Sequence, residues 1–146
     1  MNTEKELAEE KMINEAFQGM LSTYLASKHR KKVDILTRAF NFAKHAHKGV
    51  RRSSGEPYIM HPIAVAQIVS AEIGLGSTSI CAALLHDVVE DTDYTVPDIE
   101  RLFGYKIAAL VEGLTKNKAA LDTGPGDNMQ AENFKRILLT LNEDVR

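Results

Sequence analysis

From Ile13 to Leu141 the apolar residues of this chain return every three or four positions, and no alternating stretch of useful length interrupts them. Spacings of three and four collect side chains on one face of an α-helix, whereas a strand face needs a period of two. Ile13, Phe17, Leu21 and Tyr24 form one stripe, and after the polar break SKHRKK a second runs through Val33, Leu36, Phe40 and Ala43. Gly49 is expected to close that second helix, and VRRSSGEPY reads as a loop from its Ser, Gly and Pro content. Pro62 suits the first turn of a third helix, IAVAQIVSAEI, which stops at Gly74. The stretch GLGSTS offers caps for a fourth, from Thr78 to Glu90. Thr95 and Asp98 have the spacing of a capping box, with Pro97 in the first turn and Gly104 as the stop. Tyr105–Leu114 and Gln130–Leu141 complete an all-α helical bundle of about seven helices. Between them most of Lys116–Met129, with two glycines around a proline, reads as a mobile loop.

Composition narrows the classes. The 146 residues fit one domain, and a hydrophobic fraction of 44% is enough for a real core, which excludes a wholly disordered chain. Uninterrupted apolar stretches such as Cys81–Leu85 are far too short to span a bilayer. The segment MNTEKELAEEK lacks the apolar centre of a secretion signal. The single cysteine, Cys81, excludes an internal disulfide, reads as core packing, and fits a reducing cytoplasm, the expected location. A Gly-rich phosphate cradle, a Cys cluster and a GxSxG elbow are all missing, so a Ser/His/Asp hydrolase has no support.

The net charge of −2 says little, but its distribution is uneven. Nine of the 18 basic residues lie between Lys28 and Arg52 with one acid, Asp34, among them, while six acids and no base lie between His86 and Glu100. One region therefore suits an anion and the other a cation.

The cation region is CAALLHDVVEDTD. On a helix, His86 and Glu90 are four apart, Asp87 and Glu90 three apart, and Asp87 and Asp91 four apart, so an imidazole and three carboxylates share one side. With Asp93 this places four carboxylates at a helix C-terminus, against both the dipole and their mutual repulsion. A divalent cation or a buried proton would compensate. His61, just before Pro62, can project from the start of the third helix and join His86 and Asp87, giving two nitrogens and one oxygen, a set that suits Mn²⁺ or Fe²⁺. Just upstream, Lys44, Lys48, Arg51 and Arg52, followed by Ser53 and Ser54, suit phosphate oxygens. A nucleic-acid surface is the competing reading, and the lack of interleaved stacking aromatics speaks against it. His45 and His47 are two apart and face different sides of a helix; with His29 they read as structural or surface residues.

Four segments in this order, FAKHAHKGVRRSSGEPYIMHPIAVAQIV, AALLHDVVEDT, FGYKIAALVEGLTK and QAENFKRILLTLNEDVR, resemble the N-terminal HD hydrolase domain of the RelA/SpoT family of alarmone enzymes. The resemblance covers most of the chain from Val33 onward, with residues 1–30 expected as an N-terminal helix and 31–146 as the HD core. It implies an Mn²⁺-dependent hydrolase that removes pyrophosphate from the 3′ position of (p)ppGpp, giving GDP or GTP. It makes His61, His86 and Asp87 metal ligands and matches Glu90 and Asp91 to the acidic pair that assists the attacking water. Arg52 and Ser54 match the loop that contacts the nucleotide, and Ser53 stands where relatives often carry a basic residue. SGEPY resembles the long, multidomain members more than the small stand-alone ones. The family's fourth ligand is an aspartate in an LADRLHN-like segment after the QAEN helix, and this chain stops at Arg146 before it. A piece of a longer enzyme is therefore expected, without the synthetase half and with three protein ligands that hold Mn²⁺ weakly. The rival readings are an HD phosphohydrolase acting on another nucleotide and a degenerate domain that binds nucleotide without cleaving it. Neither a nucleic acid nor a membrane is expected as a partner.

Overall fold

The computed structural model describes residues 3–26, 32–71, 75–117 and 126–145, and its regular structure is helical. Seven helices lie among the described residues: α1 (Glu4–Ala26), α2 (Val33–Ala46), α3 (Met60–Ser70), α4 (Ser77–Asp91), α5 (Val96–Phe103), α6 (Tyr105–Lys116) and α7 (Gly126–Val145). None of them is long and apolar enough to cross a membrane.

Helix α4 lies at the centre because its middle, Ile80–Leu85, has no polar face. Every residue from Ser79 to Val88 is buried; Ile80–Leu85 are apolar on every side, as a buried helix segment should be, while His86 and Asp87 are polar residues held inside. It packs against α2, α3 and α6, while α3 also carries α1 on one side and α7 on another. The apolar stripe of α1 is spent inside this bundle: Ile13, Phe17, Leu21 and Tyr24 are buried, and the Phe17 ring stacks on Phe40 of α2 with centroids 4.0 Å apart. Buried Tyr24 accepts a hydrogen bond at its hydroxyl from the Lys32 backbone N–H, 2.8 Å away, which ties the end of α1 to the start of α2.

The α5 capping box forms as its spacing predicts. The Thr95 hydroxyl accepts from the Asp98 N–H at 3.4 Å, and Asp98 Oδ2 accepts from the Thr95 N–H at 2.9 Å. Gly104, at φ +98°, then turns the chain from α5 directly into α6, a backbone region that favours glycine. At Gly113 a Cβ would stand 2.6 Å from Leu141 Cδ1, so this glycine permits the close approach of α6 and α7.

Helix ends differ from the sequence expectation in instructive ways. Helix α2 stops at Ala46, and the stop at Gly49 belongs to the turn that follows, where φ is +83°. Helix α3 ends at Ser70, and the expected continuation to Gly74 lies, beyond Ala71, outside the described residues. Helix α4 gains a residue at each end, and its N-cap is Gly76 in extended backbone with no side-chain cap from the Ser and Thr beside it. Helix α7 begins at Gly126, inside the stretch read as a loop, and Lys116 at the other end of that stretch belongs to α6; residues 118–125 lie outside the described set. A glycine costs a helix only about 1 kcal/mol, and burial of Ala131, Phe134 and Leu138 on the α7 face outweighs it.

Candidate metal centre and anion-binding loop

The last two turns of α4 gather the chemistry. His86, Asp87 and Glu90 each offer one ligand atom, and those atoms all lie within 4.8 Å of one another. His86 Nδ1 is 3.3 Å from Asp87 Oδ1 and His86 Nε2 is 3.4 Å from Glu90 Oε2. The His86 ring is 2% exposed, yet neither nitrogen makes a well-formed hydrogen bond among the described residues. The Phe134 ring, from α7, meets this ring in a T-shaped contact with centroids 5.2 Å apart. Buried polar atoms held beside carboxylates without partners of their own are what a cation would satisfy.

His61 enters from the first turn of α3, where Pro62 needs no backbone donor. Its Nε2 stands 4.0 Å from Asp87 Oδ2, and both residues are 8% exposed. Burial alone would push the Asp87 carboxyl up, but the imidazoles of His86 and His61 and the Tyr58 hydroxyl outweigh it and hold the group below the usual carboxylate range. Asp87 is therefore an anion at neutral pH, as a metal ligand must be. Asp91, at the end of α4, is exposed.

The loop between α2 and α3 is a small hairpin. Arg51 and Pro57 form an antiparallel bridge, the Arg52 N–H donates to Glu56 O at 2.9 Å, and the Tyr58 N–H donates to Val50 O at 2.9 Å. The turn closes through Gly55, at φ +97°, whose N–H donates to Arg52 O. On this hairpin Arg52 is half-buried and pairs with Glu56 at 3.0 Å; Ser54 Oγ donates to the same Glu56 oxygen at 3.4 Å. Ser53 and Lys48 are exposed. Arg51 turns the other way, its guanidinium forked on the Glu9 carboxylate of α1 and donating to Gly55 O at 2.8 Å. Lys44 pairs with Glu10. A cleft of about 790 Å³ between α1 and the end of α2 is lined by Glu9, Glu10, Lys44, His47, Lys48 and Arg51, among others, and none of His61, His86 and Asp87 lines it.

Comparison with known proteins agrees with this arrangement. The family model described as HD domain matches residues 39–146. The chain belongs to the HD domain family. It is 44% identical over 132 residues, 90% of this chain and 18% of the relative, to the bifunctional (p)ppGpp synthase/hydrolase SpoT of Escherichia coli strain K12. It is also 44% identical over 115 residues, 79% of this chain and 16% of the relative, to a guanosine-3′,5′-bis(diphosphate) 3′-pyrophosphohydrolase of Vibrio cholerae. The chain thus spans less than a fifth of the length of these curated relatives. Among solved structures, one described as a metazoan ortholog of SpoT that hydrolyzes ppGpp matches with a TM-score of 0.56 and 27% identity, over 79% of this chain and 72% of that one.

In this HD domain the helical spacing HDxxE brings His86, Asp87 and Glu90 together, and His61 joins them through the packing of α3 on α4. The expected anion loop divides: Arg52 and Ser54 meet at Glu56, whereas Arg51 and Lys48 line the cleft beside α1. His45 is exposed, His29 lies outside the described residues, and Cys81 is core, where burial pushes its thiol up to about 12. His47, expected to be a structural or surface residue, is buried at 3% exposure, and its ring packs 5.0 Å from Tyr58. Burial pushes its pKa below the ordinary histidine value, so it is neutral at pH 7. Sequence reasoning missed Tyr58, whose hydroxyl donates to Asp87 Oδ2 at 3.0 Å, and Glu9. Burial first, and then the negative charge of Asp87 and Asp91, keeps that phenol protonated well past neutral pH. A tyrosine 29 positions from its partner carries no periodic signal.

Proposed function

We propose that this HD domain hydrolyses the 3′-pyrophosphate of guanosine tetra- or pentaphosphate, (p)ppGpp, to GDP or GTP and pyrophosphate, with Mn²⁺ as its metal, and that it works in the cytoplasm. The observation that carries this reading is the convergence of His61, His86, Asp87 and Glu90 at the α3–α4 contact in a chain whose relatives are named for that reaction. His61, His86 and Asp87 would hold the ion. When bound, it supplies Lewis acidity that brings the pKa of a water near neutrality.

The residues of the chain do the rest. Glu90 stands beside His86 and accepts the proton of the attacking water, with Asp91 following it at the helix end. Arg52 exchanges its Glu56 partner for phosphate oxygens and offsets the charge that grows on the pyrophosphate as the bond to the ribose oxygen breaks. Ser53 and Ser54 add neutral donors at the hairpin tip, and Lys48 adds a cation at its base. Arg51 would reach a phosphate only by breaking its fork with Glu9.

The test is pyrophosphate release from ppGpp in the presence of Mn²⁺, run beside dNTPs and cyclic nucleotides. Release from ppGpp alone supports the reading. Turnover of another nucleotide in its place would reassign the substrate, and binding of ppGpp without release would make the chain a non-cleaving receptor.

A further inference from the structure

Resting on the metal-site reading above, we infer that Tyr58 is a positioning residue for the candidate metal centre: its hydroxyl holds the Asp87 carboxylate in its ligating orientation, and the His47 ring holds Tyr58.

Asp87 presents two oxygens with different surroundings. Oδ1 faces His86 at 3.3 Å, while Oδ2 lies between the Tyr58 hydroxyl at 3.0 Å and His61 Nε2 at 4.0 Å. The phenol thus occupies one lone pair of Oδ2 and leaves the remaining lone pairs of the carboxylate for a cation. Residue type matters here. A lysine or arginine in this place would also orient the carboxylate, but it would cancel the charge that draws the ion. A tyrosine supplies direction with no charge. Ligating carboxylates are commonly fixed by such outer partners, whose loss weakens metal affinity about 10–100-fold.

Tyr58 is itself well anchored. Its N–H donates to Val50 O and its carbonyl accepts from the His61 N–H, both at 2.9 Å, so its backbone links the anion hairpin to the first turn of α3. Its ring sits between two imidazoles, His47 at 5.0 Å and His61 at 5.8 Å. His61 is a candidate ligand. His47 is not, and neither of its nitrogens has a hydrogen-bond partner among the described residues, so it acts on Tyr58 by packing alone. The hairpin that carries Arg52 and the carboxylate that would hold the metal are therefore joined through one side chain.

The experiment measures Mn²⁺ affinity of the whole chain by the paramagnetic resonance signal of free Mn²⁺, for the wild type, Tyr58→Phe, His47→Leu and Asp87→Ala, with circular dichroism of each metal-free protein to confirm the fold. The expected result is a 10–100-fold weaker affinity in Tyr58→Phe at unchanged helix content, with a smaller loss in His47→Leu, which keeps the hydroxyl and frees the ring. Should Tyr58→Phe bind Mn²⁺ as the wild type does while Asp87→Ala does not bind it, the positioning role is wrong and the metal site stands. Should Asp87→Ala bind as well as the wild type, or the wild type not bind at all, the metal site falls and the positioning role with it. If Tyr58→Phe does not fold, an unchanged affinity in His47→Leu overturns the clamp.

Discussion

Arg51 and Glu9 meet fork to fork, each guanidinium nitrogen 2.8 Å from its own carboxylate oxygen, across 42 positions of sequence. The same Arg51 nitrogen that meets Glu9 Oε2 also donates to Gly55 O, so the residue binds α1 to the turn of the hairpin. Arg51, expected from the sequence to meet phosphate, fastens the loop that carries Arg52 and Ser54.

Glu9→Gln should therefore loosen the hairpin. Hydrogen exchange at the Arg52 and Gly55 amides is expected to rise several-fold while α4 amides keep their protection. Equal exchange in both proteins would mean that the fork holds nothing. The pH dependence has a defined sign. The Arg51 partner holds Glu9 below its ordinary pKa of 4.5, so the folded state favours the carboxylate. The contribution is present above pH 4.5 and is lost as the pH falls through the lowered folded value. Acid titration of wild type and Glu9→Gln should accordingly separate above pH 4.5 and converge at the acid end.

Asp87 and Glu90 should separate by function although they share a helix face. Asp87→Ala is expected to abolish Mn²⁺-dependent pyrophosphate release. It should also abolish the stabilisation by Mn²⁺, which at about 100 times the Kd amounts to about 2.7 kcal/mol. Glu90→Gln is expected to slow turnover about 10²–10⁴-fold, the usual worth of a general base, with Mn²⁺ affinity retained. Calorimetric titration with Mn²⁺ distinguishes the roles: affinity lost in Glu90→Gln would make Glu90 a ligand, as its 3.4 Å approach to His86 permits.

Thr95→Ala removes the hydroxyl that accepts from the Asp98 N–H at the start of α5. A lost N-cap of this kind costs about 1 kcal/mol, and for a chain of 146 residues that corresponds to a drop of a few degrees in Tm. Differential scanning calorimetry checks it, and Thr95→Ser, which keeps the hydroxyl, should recover most of the loss. The effect on Mn²⁺ affinity should be nil, because α5 supplies no residue to the α3–α4 site.

Local relationships were legible. In the Thr95–Asp98 box, the buried stripe of Ile13, Phe17, Leu21 and Tyr24, and the His86–Glu90 pairing, successive residues are three or four positions apart along one helix, where backbone geometry alone dictates neighbours. The start of α7 is not legible in the sequence, because glycine and proline bear on local cost only. The burial of Ala131, Phe134 and Leu138 that outweighs it comes from other helices.

By itself the sequence determined that the chain is helical and that His86, Asp87 and Glu90 share a side of one helix, since both follow from a period of 3.6 residues and the polarity of each position. That this helix is the buried centre came from the packing of the others around it. Only the tertiary structure decided which charges are already engaged: Arg51 by Glu9, Arg52 by Glu56, Asp87 by Tyr58. The contacts of Arg51 and of Asp87 join residues 42 and 29 positions apart, and that of Arg52 needs the hairpin turn. A charge's partner is set by where the chain folds back, and no periodicity encodes that.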